Sequence, residues 1–302
     1  MCGHNSLLVG QIGDWTWAAV SALCGTDVLA ARDRRGAATY LSFYYYRIRG
    51  SRRFHLRTPT FGDWLTVTSG LFDFGSESVL ALHRISPAEP AEPGTAGLAA
   101  GPRRPTAIDP VRFYAGSDDG CLYVENFNRW VARSREDSNE ELLRASPADF
   151  THRHLPELPQ RYSPRPVCQR ARTELTFLDP DGAGLVAREE LRLRYEVDPS
   201  RDLNGVGLLY FASYFAIVDW ALLRLWRRLG RDDRSFLDRV VADQQLCYLG
   251  NADLGSVVTV VLRRWQPVAG GDRELVDLVL RDSQRDRLLA VCTLELLTGG
   301  AA

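Results

Sequence analysis

Apolar positions along this 302-residue chain alternate between two periods in a fixed order, and the order occurs twice. From about Ser6 to Cys24, Leu8, Ile12, Trp15, Ala19 and Leu23 recur at helical spacing, and Gly25 supplies a stop. Runs rich in aromatic and β-branched residues follow at Thr39 to Ile48, Gly62 to Phe72 and Ser76 to Ile85, each bounded by glycine or charged turns, which predicts strands. Phe113 to Trp130 is expected to add one or two more. Strand-like segments at Thr173 to Leu178 and Leu185 to Val197 then lead through RDLNGVG into a second helix. That helix carries Phe211, Tyr214, Phe215, Val218, Leu222 and Leu225 on one face and ends at Gly230. Leu237 to Tyr248, Gly255 to Gln266, and Leu275 to Leu297 with a turn near Ser283 to Asp286 complete the second series of strands.

The two helices overlay without gaps when residue 12 is set on residue 217, which matches Ile12 with Ile217, Asp14 with Asp219, Trp15 with Trp220 and Gly25 with Gly230. FGDWLTVTSGLF overlays LGSVVTVVLRRW in the same way. A duplicated unit is the economical explanation. One helix backed by consecutive strands that hairpins can join is an α+β layout with antiparallel sheets. The expected organisation is an N-terminal half over residues 1–150, a Pro-rich connector over 151–170 and a C-terminal half over 171–302. Within the first half, residues 87–110 are crowded with Pro, Ala and Gly and show neither period, so they read as a mobile surface excursion.

Composition narrows the function classes. A formal net charge of -1 gives no long-range field that points to nucleic acid or an anionic membrane as the main partner. All 37 basic residues are Arg. Without lysine, Schiff-base chemistry and the P-loop lysine are excluded. The six cysteines, Cys2, Cys24, Cys121, Cys168, Cys247 and Cys292, lie far apart with no CxxC spacing, so neither zinc nor a compact disulfide framework is suggested, and free thiols of a cytoplasmic protein are expected. The first residues lack the basic and apolar regions of a signal peptide. The longest uncharged apolar stretch, Gly205 to Val218, is too short to cross a bilayer.

Three clusters carry candidate chemistry. LDPDGAGLVAREE places Asp179, Asp181, Gly184, Val186 and Glu190 near the positions of a calcium loop, but Ala183 stands at a ligand position and the flanks read as strands, so a hairpin turn is expected. His4, Asn5 and Ser6 precede the first helix, and Asn204 and Gly205 precede the second. A helix start offers free N–H groups and the positive dipole end to a thioester carbonyl or an anion; the same residues also suit plain capping. Cys2 and His4 lack the second ligand pair that a metal site needs. The third cluster is TYLSFYYYRIR, in which period two puts Tyr40, Ser42, Tyr44 and Tyr46 on one face and Leu41, Phe43 and Tyr45 on the other. Aromatic strand residues are usually packing residues, and the pattern alone singles out none of them.

GHNSLLVGQIGDWTW, TYLSFYYYRIR, FGDWLTVTSGLFDFGSESVLALHRI, LYVENFNRW, RDLNGVGLLYFASYFAIVDWALL and CYLGNADL together resemble the leinamycin-type bifunctional acyltransferase/decarboxylases of polyketide biosynthesis. The resemblance implies a double hot-dog fold, two antiparallel sheets each wrapped around a central helix. It implies an enzyme that takes methylmalonyl from coenzyme A onto a tyrosine, passes it to the phosphopantetheine thiol of an acyl carrier protein and decarboxylates it to propionyl. The family's tyrosine falls on Tyr40, with Tyr44 and Tyr46 as fallbacks and His4, Asn5, Ser6, Thr39, Tyr44, Asn204 and Gly205 as expected substrate contacts. No metal or organic cofactor is needed beyond the coenzyme A thioester and the carrier's phosphopantetheine. Nucleic acid and membrane are not expected partners, and a homodimer is compatible with the reading. The resemblance also leads one to expect residues upstream of Met1. Three other readings stay open: an acyl-thioester hydrolase, a dehydratase, for which only His4 stands in a helix-start motif, and a non-catalytic protein that binds acyl carriers.

Overall fold

The computed structural model describes residues 5–89, 108–136, 138–178, 186–268 and 272–297, the side chains of Asn5 and of residues 186–190 excepted. Most of the Pro-rich excursion and the LDPDGAG turn therefore lie outside the described residues. The elements are α1 (Asn5–Cys24), β1 (Tyr40–Arg49), β2 (Trp64–Asp73), β3 (Ser78–Ala88), α2 (Pro110–Ala115), β4 (Leu122–Arg135), β5 (Ser138–Arg144), α3 (Arg165–Glu174), β6 (Val186–Glu196), α4 (Pro199–Asp202), α5 (Phe211–Arg228), α6 (Asp233–Leu237), β7 (Val240–Tyr248), β8 (Val257–Pro267), β9 (Arg273–Asp282) and β10 (Arg287–Leu297). They fall into two compact units, one built on Leu7–Ala132 and Leu143–Ser163, the other on Arg133–Leu142 and Pro164–Ala302.

In the first unit the strand order is β2-β3-β4-β1, antiparallel throughout. In the second it is β6-β8-β9-β10-β7, again antiparallel. With β6 set aside, each unit runs helix, then four strands, with the first strand returning beside the fourth. The duplication read from the overlay is thus a repeat of topology. Both central helices end the same way, because Gly25 (φ 68°) and Gly230 (φ 72°) take the left-handed conformation that closes a helix at no steric cost.

Packing against its own sheet holds each helix. In the second unit the expected apolar face of α5 is buried as read: Phe211, Tyr214, Phe215, Val218, Leu222 and Leu225. Tyr195 of β6 meets Trp220 edge-on, Trp265 of β8 meets Trp226, and Tyr248 of β7 meets Tyr214. In the first unit the stripe is rotated from the expected one. Leu8, Val9, Ile12, Thr16, Val20 and Cys24 are buried, whereas Trp15, Ala19 and Leu23 are half-buried. The rotation places a threonine at the centre of the buried face, and its hydroxyl has partners on both sides, described below.

Phe113 to Trp130 contributes one strand, β4, and one other expected strand is not formed. Asp109 caps Val111 through its carboxylate and Pro110 follows at the first helical position, so the chain over Pro110–Ala115 forms α2 before β4 begins. Residues 165–174 form α3, which ends where Leu175 adopts φ 60°. The strand expected at Thr173 to Leu178 is therefore a helix end followed by irregular chain. Among the described residues the five cysteines are buried and form no disulfide, and no helix is long and apolar enough to cross a membrane.

Candidate active site

β1 opens the region that holds the tyrosine cluster. Tyr40 is its first residue, half-buried, and pairs with Val131 of β4. Leu41 packs with Val20 and Cys24 of α1 and with Trp130, so the next residue back along a pleated strand, Tyr40, lies on the face turned away from α1. Thr39, buried, donates its N–H to the carbonyl of Ala31 at 2.9 Å, while its hydroxyl has no partner among the described residues.

The register corrects the face expected for the other tyrosines. Phe43 pairs with Asn128 and Tyr45 with Phe127, so Tyr44 is an extra residue in a bulge. Beyond it the alternation inverts. Tyr46 turns to the helix side, is fully buried, packs on Phe43 and directs its hydroxyl to the carbonyl of Val9 at 3.4 Å. It is a packing residue and drops out as a fallback for chemistry. Tyr44 stays half-buried, with the Arg129 guanidinium 3.5 Å from its ring centroid and Phe127 edge-on at 6.1 Å. Arg129 pairs with Ser42, two residues from the partner of Tyr40, so it is a diagonal neighbour of Tyr40 on one sheet face, about 7–8 Å away between backbones and within reach of a long side chain. The sequence reading did not single out Arg129.

Because Val9 meets Tyr46 and Val20 and Cys24 meet Leu41, α1 runs antiparallel to β1. Tyr40 therefore stands at the C-terminal end of α1. The N-terminus of that helix lies at the far end of its 20 residues, about 30 Å away. Within the first unit, the expected neighbourhood of Tyr40 and a helix start is not found.

The remaining expected contacts sort as follows. His4 lies outside the described residues. Asn5 begins α1, and Ser6 is buried in its first turn. In the second unit Asn204 folds its own loop: Oδ1 accepts from the N–H groups of Val206 (3.2 Å) and Leu208 (2.9 Å), and Gly207 N–H donates to its carbonyl. Gly205 is exposed, with open space where a Cβ would sit. The loop is clamped in turn by Asn251 of CYLGNADL, whose side chain both accepts from Leu209 N–H and donates to Leu209 C=O, and by Asn139, which donates to Gly207 C=O at 2.7 Å. The helix start after it is capped by Tyr210 with no side-chain hydrogen bond. Asn204 thus holds a turn, and Asn204→Ala should lower stability by about 1–2 kcal/mol through two lost acceptor contacts. Chemical denaturation would register it, and a larger loss in activity than in stability would reveal a direct role.

A second polar assembly went unread. Beneath α1, His83 of β3 is fully buried, with Nε2 2.8 Å from Thr16 Oγ1 and Nδ1 2.8 Å from Ser69 Oγ on β2. Thr16 donates to the Ile12 carbonyl and accepts from the Asn126 amide, and Asn128 donates to Asn126 Oδ1 at 2.7 Å. With the Thr16 proton directed to Ile12, His83 donates through Nε2, and in the neutral ring that burial favours Nδ1 accepts from Ser69. Burial pushes its pKa down to about 4. The signal was present: His83 stands at the inward position two after Ala81 and four after Val79, a polar residue on an apolar face.

Among the described residues no group of three or more His, Cys, Asp or Glu could hold a metal ion. No curated protein matches the chain. Solved structures do. An acyl-ACP thioesterase from Bacteroides thetaiotaomicron superposes with a TM-score of 0.52 at 8% identity, covering 96% of this chain and 88% of its own. A Lactobacillus plantarum protein described as an oleoyl thioesterase gives 0.51 at 13% identity, covering 87% and 77%. At such identities the likeness shows the fold. The profile described as the LnmK N-terminal Hot Dog Fold domain matches residues 1–180, more than half the chain and the whole stretch that carries α1, the tyrosine strand and the buried histidine. With its repeated helix-and-antiparallel-sheet units, this chain belongs to the LnmK N-terminal hot-dog-fold family.

Proposed function

We propose that the protein acts on acyl thioesters, taking a methylmalonyl group from coenzyme A through Tyr40 to the thiol of an acyl carrier protein and decarboxylating it to propionyl. Membership of the LnmK family supports the reading, as does the structural likeness to proteins described as thioesterases. The single observation that carries it is the setting of Tyr40: a half-buried phenol at the first residue of β1, with Arg129 diagonal to it on the same sheet face.

In this reading the Tyr40 oxygen attacks the thioester carbonyl, coenzyme A leaves as the thiol, and an aryl ester forms. A phenol is a good leaving group, so the carrier's thiol then displaces it and returns the proton to the phenol oxygen. Decarboxylation breaks the bond between the α-carbon and the carboxylate; carbon dioxide departs, and the enolate takes a proton at the α-carbon. Donors aimed at the carbonyl oxygen lower that barrier, and Arg129, on the same sheet face as Tyr40, is suited to the role. A guanidinium that gripped the carboxylate instead would stabilise the ground state and oppose the step.

Incubated with methylmalonyl-coenzyme A and a phosphopantetheinylated acyl carrier protein, the enzyme is expected to yield a propionyl carrier, identified by the carrier's mass. A methylmalonyl carrier that persists would reduce the reading to transfer alone. Release of the free acid with no carrier product would replace it with hydrolysis.

A further inference from the structure

The chain that leads into Tyr40 is a small hairpin. Thr39 N–H donates to Ala31 C=O and Asp33 N–H to Ala37 C=O, both at 2.9 Å, and Arg32 bridges Ala38. Its turn is fixed by side chains as well. Asp33 Oδ1 accepts from the N–H groups of Arg35 (2.8 Å) and Ala37 (2.9 Å), Arg32 Nη1 donates to Gly36 C=O, and Gly36 takes φ 85°. Its base is tied down where Ala148 N–H donates to Arg32 C=O. The aspartate and the first arginine are thus used in shaping the turn. Arg34 and Arg35 at its tip are exposed, and their guanidinium groups make no ion pair or hydrogen bond with any described residue. Two other exposed arginines of the same unit are paired, Arg53 with Asp119 and Arg144 with Glu77.

We infer that the Arg34–Arg35 tip is the docking point for an acidic acyl carrier domain. The inference rests on the Tyr40 reading above. Arg35 is five residues from Tyr40, so the two backbones lie within about 18 Å. An extended phosphopantetheine arm spans a distance of this order, so a carrier held at the tip presents its thiol at the phenol. Opposite charge raises the encounter rate, and a hairpin pinned at tip and base presents both charges without a backbone ordering cost on binding.

The test is an acceptor comparison on the full-length chain. Arg34→Glu with Arg35→Glu should raise KM for a phosphopantetheinylated carrier protein at least about tenfold. Acylation of Tyr40 by methylmalonyl-coenzyme A, and transfer to free pantetheine, should keep their wild-type rates. The milder pair Arg34→Gln and Arg35→Gln should give a smaller rise, which guards against a folding defect. An unchanged KM for the carrier overturns the inference, and so does an equal loss toward pantetheine. Wild-type protein that never acylates overturns the Tyr40 reading instead, and with it this surface.

Discussion

Tyr40→Phe is expected to reduce acyl transfer by at least about a thousandfold while leaving the fold intact. Removal of a covalent nucleophile costs on that order or more, because the substituted path must proceed without the intermediate. The substitution deletes one hydroxyl and keeps the ring, and Tyr40 is half-buried at a strand end, so little packing is lost. The strand's own packing rests elsewhere, on Leu41, Phe43, Tyr45, Tyr46 and Ile48, all at most 4% exposed. Unfolding curves of wild type and variant should therefore overlay. A variant that still transfers but decarboxylates slowly would make the hydroxyl a donor to the enolate. Full activity in both steps would remove Tyr40 from the chemistry.

The second large effect concerns acid. An unfolded chain protonates its histidine near pH 6.5, whereas folded His83 resists until about pH 4. Between those values the unfolded state binds the extra proton, so this contribution is whole above pH 6.5 and is lost as pH falls toward 4. The loss is roughly 3 kcal/mol. Asp14 and Asp277, whose pKa values burial raises, act in the opposite sense as the folded protein takes up their protons, so total stability alone does not isolate the histidine. His83→Leu does. At pH 7.5 the variant should be less stable by about 2 kcal/mol, since the hydroxyls of Thr16 and Ser69 lose their partner. Its stability should fall less on acidification, so the two urea-derived curves converge and cross before pH 4. Parallel curves would show that His83 is not the buried neutral group described.

The helices and most strands were legible because each carries a clean period and a chemical stop. α5 shows this best, with six apolar residues on one face and a glycine where its C-terminus requires positive φ. What misled the reading was local. Asp109 and Pro110 together start a helix too short to show a period, and α3 carries only Cys168 and Ala171 as buried residues. The site was harder because a bulge is a register event between two strands, and no pattern within TYLSFYYYRIR records that the register with β4 shifts between Phe43 and Tyr45. Arg129 escaped for the same reason. Its place beside Tyr44 and diagonal to Tyr40 exists only once β4 has paired with β1. His83 could have been found, since an imidazole at an inward strand position demands partners, and a threonine in the middle of an apolar helix face is the kind of group that supplies one.

The central claim is that Tyr40 carries the acyl group. Wild-type protein incubated with methylmalonyl-coenzyme A, without any carrier, should gain a labile acyl mass. Digestion and fragmentation should assign the mass to Tyr40, and adding a carrier thiol should remove it. Tyr40→Phe should gain none. An adduct on another residue, or an equal adduct on the variant, would contradict the account.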